Sequence, residues 1–119
     1  METDEITKIF ENTSFLTRCE CNVLAFLLCN DDYVTSHDIE RATSLRQPEV
    51  SVVLSKFNKY GWLEEKKSEK QGKGRPAKLI KLSNMDEIFK SLLDDMDEKM
   101  NEYRQKRDEL LKLYSFLNK

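Results

Sequence analysis

No run of about 18 apolar residues occurs in the 119-residue chain, so no membrane-spanning helix is expected. Glycine is scarce, and the Gly72-Lys73-Gly74 stretch lacks the Gly-x-x-x-x-Gly-Lys-Ser/Thr frame of a phosphate-binding loop. The single histidine, His37, falls at a helix start, where a surface capping turn accounts for it. No serine or cysteine nucleophile has an evident base. The 22 carboxylates are scattered over charged faces, not paired in an apolar setting. These absences argue against an enzyme and against a cofactor.

The three cysteines, Cys19, Cys21 and Cys29, are an odd number, and free thiols are expected. On a helix Cys19 and Cys21 point about 200° apart, whereas a tetrahedral metal needs three or four convergent ligands. Structural thiols are the reading, with metal or redox sensing as the alternative. The N-terminus, Met1-Glu2-Thr3-Asp4-Glu5, is acidic, unlike a secretory or transit peptide, and a cytoplasmic protein is expected.

What is present is charge. Apolar residues make up 39% of the chain and charged residues 35%, enough for a modest core under a highly charged surface. The charge is unevenly placed. Residues 1–40 carry two basic and nine acidic side chains; residues 41–81 carry eleven basic and four acidic; residues 82–119 carry seven basic and nine acidic. A basic middle between acidic flanks is the footprint of a polyanion-binding patch.

Apolar spacing predicts a short helix over residues 4–12, with Ile6, Ile9 and Phe10 on one face. A second helix runs from about Thr17 to Asn30, with Phe15 and Leu16 stapling its entry. Thr35-Ser36-His37-Asp38 opens a third, with Ile39 and Ala42 inward and Leu45 as the buried anchor of the turn that follows. A fourth begins near Gln47. Pro48 is tolerated in a first turn that has no amide partner to lose, and Gly61 stops the helix. Val50, Val53, Leu54 and Phe57 form its inward stripe. Strands follow at about 62–68 and 77–82, joined by the basic segment Glu69 to Pro76. Asn84 and Glu87 then cap a helix free of Pro and Gly through Lys119. Phe89, Leu93, Met96, Met100, Tyr103, Arg107, Leu110, Tyr114 and Leu117 recur in it by fours and threes. That is a heptad seam about four repeats long, on a helix of about 50 Å.

Three helices, with a tight turn before the third of them, then a basic hairpin, make a winged helix-turn-helix order. Leu45-Arg46-Gln47-Pro48-Glu49-Val50-Ser51, Tyr60-Gly61-Trp62-Leu63 and Gly74-Arg75-Pro76 resemble prokaryotic winged-helix transcription regulators of the MarR, TrmB and ArsR type, and look closest to small archaeal TrmB/MarR-like ones. The likeness covers about residues 14–83. It implies a mainly α fold with a small β-hairpin. Residues 1–83 would form the DNA-binding domain and residues 84–119 a coiled-coil dimerisation helix. The spacing of the cysteines differs from the ArsR metal motif.

The resemblance further implies that the helix over about residues 47–60 enters the major groove of double-stranded DNA. Ser44, Arg46, Gln47, Pro48 and Glu49 would stand at its entry. Arg46 can pair with guanine and Gln47 with adenine. Ser51 and Ser55 can bond base or phosphate, and Lys56 and Lys59 suit phosphate. Val52 either meets a thymine methyl or is partly buried. The wing carries Lys66, Lys67, Lys70, Lys73, Arg75 and Lys78, with Arg75 either entering a narrow minor groove or only touching backbone. The heptad helix either pairs two copies or folds back on its own domain. As a pair it places two recognition helices on half-sites about 10 bp apart or a multiple of that. The expected function is a dimeric, sequence-specific DNA-binding transcription regulator. The alternative is a winged-helix protein-interaction module in a transcription or chromatin assembly. Operator, effector and helix orientation are not readable.

Overall fold

The computed structural model describes residues 1–68 and 77–119. Five helices and two strands follow one another: α1 (Thr3–Thr13), α2 (Arg18–Leu28), α3 (Ser36–Thr43), α4 (Gln47–Lys59), β1 (Leu63–Lys67), β2 (Lys78–Leu82) and α5 (Met85–Leu117). Lys70, Lys73 and Arg75 lie outside the described residues, with the rest of residues 69–76.

α2 is the centre of the domain because it is apolar over most of its circumference. Cys21, Val23, Leu24, Ala25 and Leu27 are all buried there. The Thr17 hydroxyl accepts the Glu20 amide, and the Glu20 carboxylate accepts the Thr17 amide at 2.9 Å, so two amides at the helix start are satisfied reciprocally. Thr35 and Asp38 do the same for α3. The Thr35 amide holds the Asp38 carboxyl below its ordinary range. Around α2 the core gathers Phe10 from α1, Ile39 from α3, Val50, Val53 and Phe57 from α4, and Ile88 and Leu92 from α5.

β1 and β2 are antiparallel, with Leu63 opposite Leu82 and Lys67 opposite Lys78. Val34 adds a bridge on the other edge of β2: its N–H donates to Ile80 O at 2.8 Å, and the Ile80 N–H returns a bond at 2.7 Å. The hairpin is thereby tied to the loop before α3, which fixes it relative to the helices.

α5 begins where the Asn84 side chain accepts the Asp86 and Glu87 amides; the Glu87 side chain takes no part. Its first turns pack on the domain through Ile88 and Leu92, and the rest projects, giving a molecule 81 Å long and 27 by 23 Å across. No helix among the described residues is long and apolar enough to cross a membrane.

Three local expectations need correction. Ala42 is exposed; α3 has only eight residues and turns inward at Ile39 alone. Leu45 is half-buried against the core rather than enclosed by it. Ile9 is exposed, because α1 meets α2 through Ile6, Thr7 and Phe10. β1 is shorter than expected by one residue at each end and β2 by one at its start, and Trp62 stands just before β1 as a core residue, 3% exposed.

Candidate nucleic-acid interface

α4 is held at both ends by backbone chemistry that its sequence dictates. At its start the Arg46 N–H donates to Glu49 Oε1 at 3.0 Å. The other oxygen, Oε2, accepts the Cys19 thiol at 3.5 Å, so Glu49 ties the start of α4 to α2. At its end Gly61 takes φ +77°, a left-handed conformation that glycine adopts without steric cost. The Gly61 N–H donates to Asn58 O and the Trp62 N–H to Phe57 O, each at 3.0 Å, with the Phe57 and Trp62 rings 5.2 Å apart. This is a Schellman closure with its hydrophobic contact. Between α3 and α4, Ser44 is the one described non-glycine residue at positive φ, 59°.

With Val50, Val53 and Phe57 buried, α4 must present its other side to solvent. Pro48, Val52, Ser55 and Lys59 run along that side by fours and threes, and all are exposed. Val52 is 60% exposed, so the alternative of a partly buried valine does not hold. Gln47, Ser51 and Asn58 flank this ridge toward the hairpin. There they line a groove of about 350 Å³ with Ser36, Ser55, Glu65 and Lys78. Among the described residues no ion pair involves Arg46, Lys56 or Lys59, leaving these cations free for a partner. Lys78 is paired with Glu65 at 3.1 Å on the hairpin side of the groove.

Ser36 and Asn58 were missed as groove residues. Asn58 was findable, since it falls at helical spacing after Gln47 and Ser51. Ser36 belongs to a different helix, and only the packing of α3 beside α4 brings it there.

On the other flank of α4, Cys19, Pro48, Glu49, Val52 and Lys56 border an apolar groove of about 390 Å³. Burial, then the hydrogen bond and charge of Glu49, raise the Cys19 thiol above its ordinary value. Cys21 is fully buried and also raised, mainly by burial. Protonated thiols of this kind are poor nucleophiles and poor metal ligands. Cys29 is exposed at the far end of α2, apart from the other two. No cluster of three or more His, Cys, Asp or Glu side chains suited to a metal exists among the described residues.

On the hairpin's outer side Lys66 Nζ lies 4.2 Å from the centre of the Tyr33 ring, and Tyr33 donates to Glu64 at 3.3 Å. The predicted seam residues of α5 are all exposed, from Phe89 at 38% to Tyr103 at 71%.

No protein-family model matches the sequence, and no curated protein sequence matches it. Solved structures do resemble it. A possible transcriptional regulator from Methanosarcina mazei Go1 superposes with a TM-score of 0.63 at 16% identity, over 92% of this chain and 88% of that one. TrmBL2, described as an archaeal chromatin protein with a novel mode of DNA binding, gives 0.62 at 15% identity over 98% of this chain and 43% of its own. Staphylococcus aureus MepR F27L, solved bound to an oligodeoxyribonucleotide, gives 0.54 at 22% identity over 96% and 88%. The chain has the winged-helix fold of these regulators.

Within that fold α4 is the helix that runs directly into the β1–β2 hairpin. The Glu49 contacts act on the start of this helix directly. Glu49→Ala is expected to lower stability by about 1 kcal/mol through loss of the amide acceptor. Urea denaturation checks this, and a change within a few tenths would show the Arg46 contact to be dispensable.

Proposed function

We propose that this chain binds double-stranded DNA as a dimeric transcription regulator. Residues 1–83 form the DNA-binding unit and α5, within residues 84–119, the pairing helix. The observation that carries the reading is the outer face of α4: exposed polar and cationic side chains, with no ion pairs to Arg46, Lys56 or Lys59, beside a groove that opens to the hairpin. A helix that presents such a face from a winged-helix frame suits the major groove.

Gln47 and Ser51 hydrogen-bond base edges, Arg46 pairs with guanine or phosphate, and Val52 meets a thymine methyl. Ser44 and Ser55 reach backbone or base, Lys56 and Lys59 contact phosphate, and Pro48 and Glu49 set the entry of the helix. The wing brings Lys70, Lys73 and Arg75 to the adjacent minor groove and backbone.

A salt titration of duplex binding tests the reading. Affinity is expected to fall by about 0.9 log units per log unit of salt for each phosphate neutralised, and Arg75→Ala to flatten that slope by about one such unit. Salt-independent or absent binding to any duplex would sink DNA binding and leave a protein-interaction role for the same face.

A further inference from the structure

α5 is chemically polarised along its length. From Met85 to Glu98 it carries six acidic side chains and one basic; from Lys99 to Lys119 it carries six basic and three acidic. Its apolar surface is polarised as well. Near the domain Ile88 and Leu92 are already buried, and the seam is left with Phe89 and Leu93. At the far end Leu110, Leu111, Leu113, Tyr114, Phe116 and Leu117 are all exposed, between 46% and 72%. Laid on a helical wheel, these six span about 220°, twice the stripe of about 100° that one neighbouring helix covers.

A matching surface exists at the root. Ile6, Ile9 and Phe10 of α1, with Leu28, Met85 and Phe89, line an apolar groove of about 290 Å³. Phe89 leans on Phe10 with ring centres 6.1 Å apart, so the groove is continuous with the seam of α5.

We infer that two copies of this chain pair through antiparallel α5 helices, the tip of each seated in the α1–α5 groove of the other. This rests on the dimer reading above and adds the orientation and the partner surface. In a parallel pair acidic root would face acidic root and basic tip would face basic tip. Arg107, on the seam, would oppose its own copy. An antiparallel pair sets basic tip on acidic root.

The heptads allow one such register directly. With Tyr114 level with the partner's Phe89, Leu110 comes level with the partner's Leu93, Arg107 with the partner's Met96 and Tyr103 with the partner's Met100. Arg107 then lies beside the partner's Asp97, and Arg104 on the flank of the seam faces the same acidic stretch. Lys99 and Lys106 approach one another in this register, but Lys99 is neutralised within its own helix by Asp95 at 3.0 Å. Leu113, Phe116 and Leu117 reach the partner's root, where the groove takes the apolar surface that the seam cannot. The two reading heads end up at opposite ends of a rod on the order of 50 Å long, too far apart for half-sites a single turn from one another. Each dimer then engages well-separated half-sites or two DNA segments.

Electron paramagnetic resonance distance measurement decides the orientation. Spin labels are placed singly at Ser91→Cys, Asn101→Cys or Ser115→Cys, all exposed positions, in full-length protein carrying Cys19→Ser, Cys21→Ala and Cys29→Ser. Circular dichroism and duplex binding confirm that each labelled protein is folded. The antiparallel register predicts the shortest separation at Asn101. It adds about 30 Å along the rod at Ser91 and about 40 Å at Ser115. Equal short distances at all three sites would overturn the orientation while keeping the dimer. A monomeric mass by light scattering, with no intermolecular distance at any site, would overturn the dimer itself.

Discussion

Phe57→Ala is expected to destabilise the domain by roughly 3–5 kcal/mol, the range for truncating a buried phenylalanine. Phe57 is fully buried and sits where three structural tasks meet. Its ring fills the core beneath α4, its carbonyl accepts the Trp62 amide that closes the helix, and its ring contacts Trp62 at the entry to β1. Loss of the ring removes apolar burial and leaves a cavity that cannot collapse, because α4 is fixed by Glu49 at one end and Gly61 at the other. A small domain has about 5–15 kcal/mol in all, so such a loss takes a large share of the folded margin. Trp62 is the sole tryptophan, nearly buried and in contact with the site, so its fluorescence follows urea unfolding directly. A midpoint within experimental error of wild type would show that α4 is not held to the domain through this ring. DNA binding in the variant should fall only in proportion to the folded fraction, since Phe57 faces away from the groove.

Much of this architecture was legible because single residues carried unambiguous local chemistry. Thr35 is a hydroxyl cap followed three residues on by a carboxylate, and that cap forms as expected; Thr17 and Glu20 make the same pair at the start of α2. Gly61 after a run of helical apolar positions marks a left-handed stop, and that is its conformation. The uninterrupted heptads of α5 foretold a helix too long for its domain to cover, and it does project. What was not legible depends on which neighbours a helix meets. Periodicity gives a helix one apolar stripe, but the root of α5 has two: Ile88 and Leu92 toward the domain, Phe89 and Leu93 away from it. The heptad reading found only the second. Spacing points Ala42 inward and sets Ile9 beside Ile6 and Phe10, yet both are exposed, because among the described residues α3 and α1 turn other sides to the core. The bridge from Val34 to Ile80 pairs residues 46 positions apart, and no local signal announces it. The groove itself is a product of such packing. The hydrogen-bonding face of α4 was readable, and Lys78 was readable as a wing cation, whereas the walls made by Ser36 from α3 and by Glu65, which pairs with Lys78, were not.

Replacing Lys56 and Lys59 together by alanine is expected to make the salt dependence of DNA binding shallower by about 1.8 log units per log unit of salt, two phosphates at about 0.9 each. Both side chains are exposed near the end of α4, and neither takes part in an ion pair among the described residues. Their removal therefore breaks nothing in the fold, and stability should stay within about 0.5 kcal/mol. The loss should be uniform across DNA sequences, since a lysine on phosphate carries no base information. Gln47→Ala provides the contrast. It stands at the helix entry, where two hydrogen bonds to adenine are worth roughly 1–3 kcal/mol of discrimination. Its loss should appear on the preferred sequence and vanish on others, with the salt slope unchanged. The two variants thus separate the end of α4 proposed to face phosphate from the end proposed to face bases. If the double lysine variant changed sequence preference while keeping its slope, the helix would lie in the groove with its C-terminal end reading bases. The proposed docking of α4 by its first turn would then be reversed.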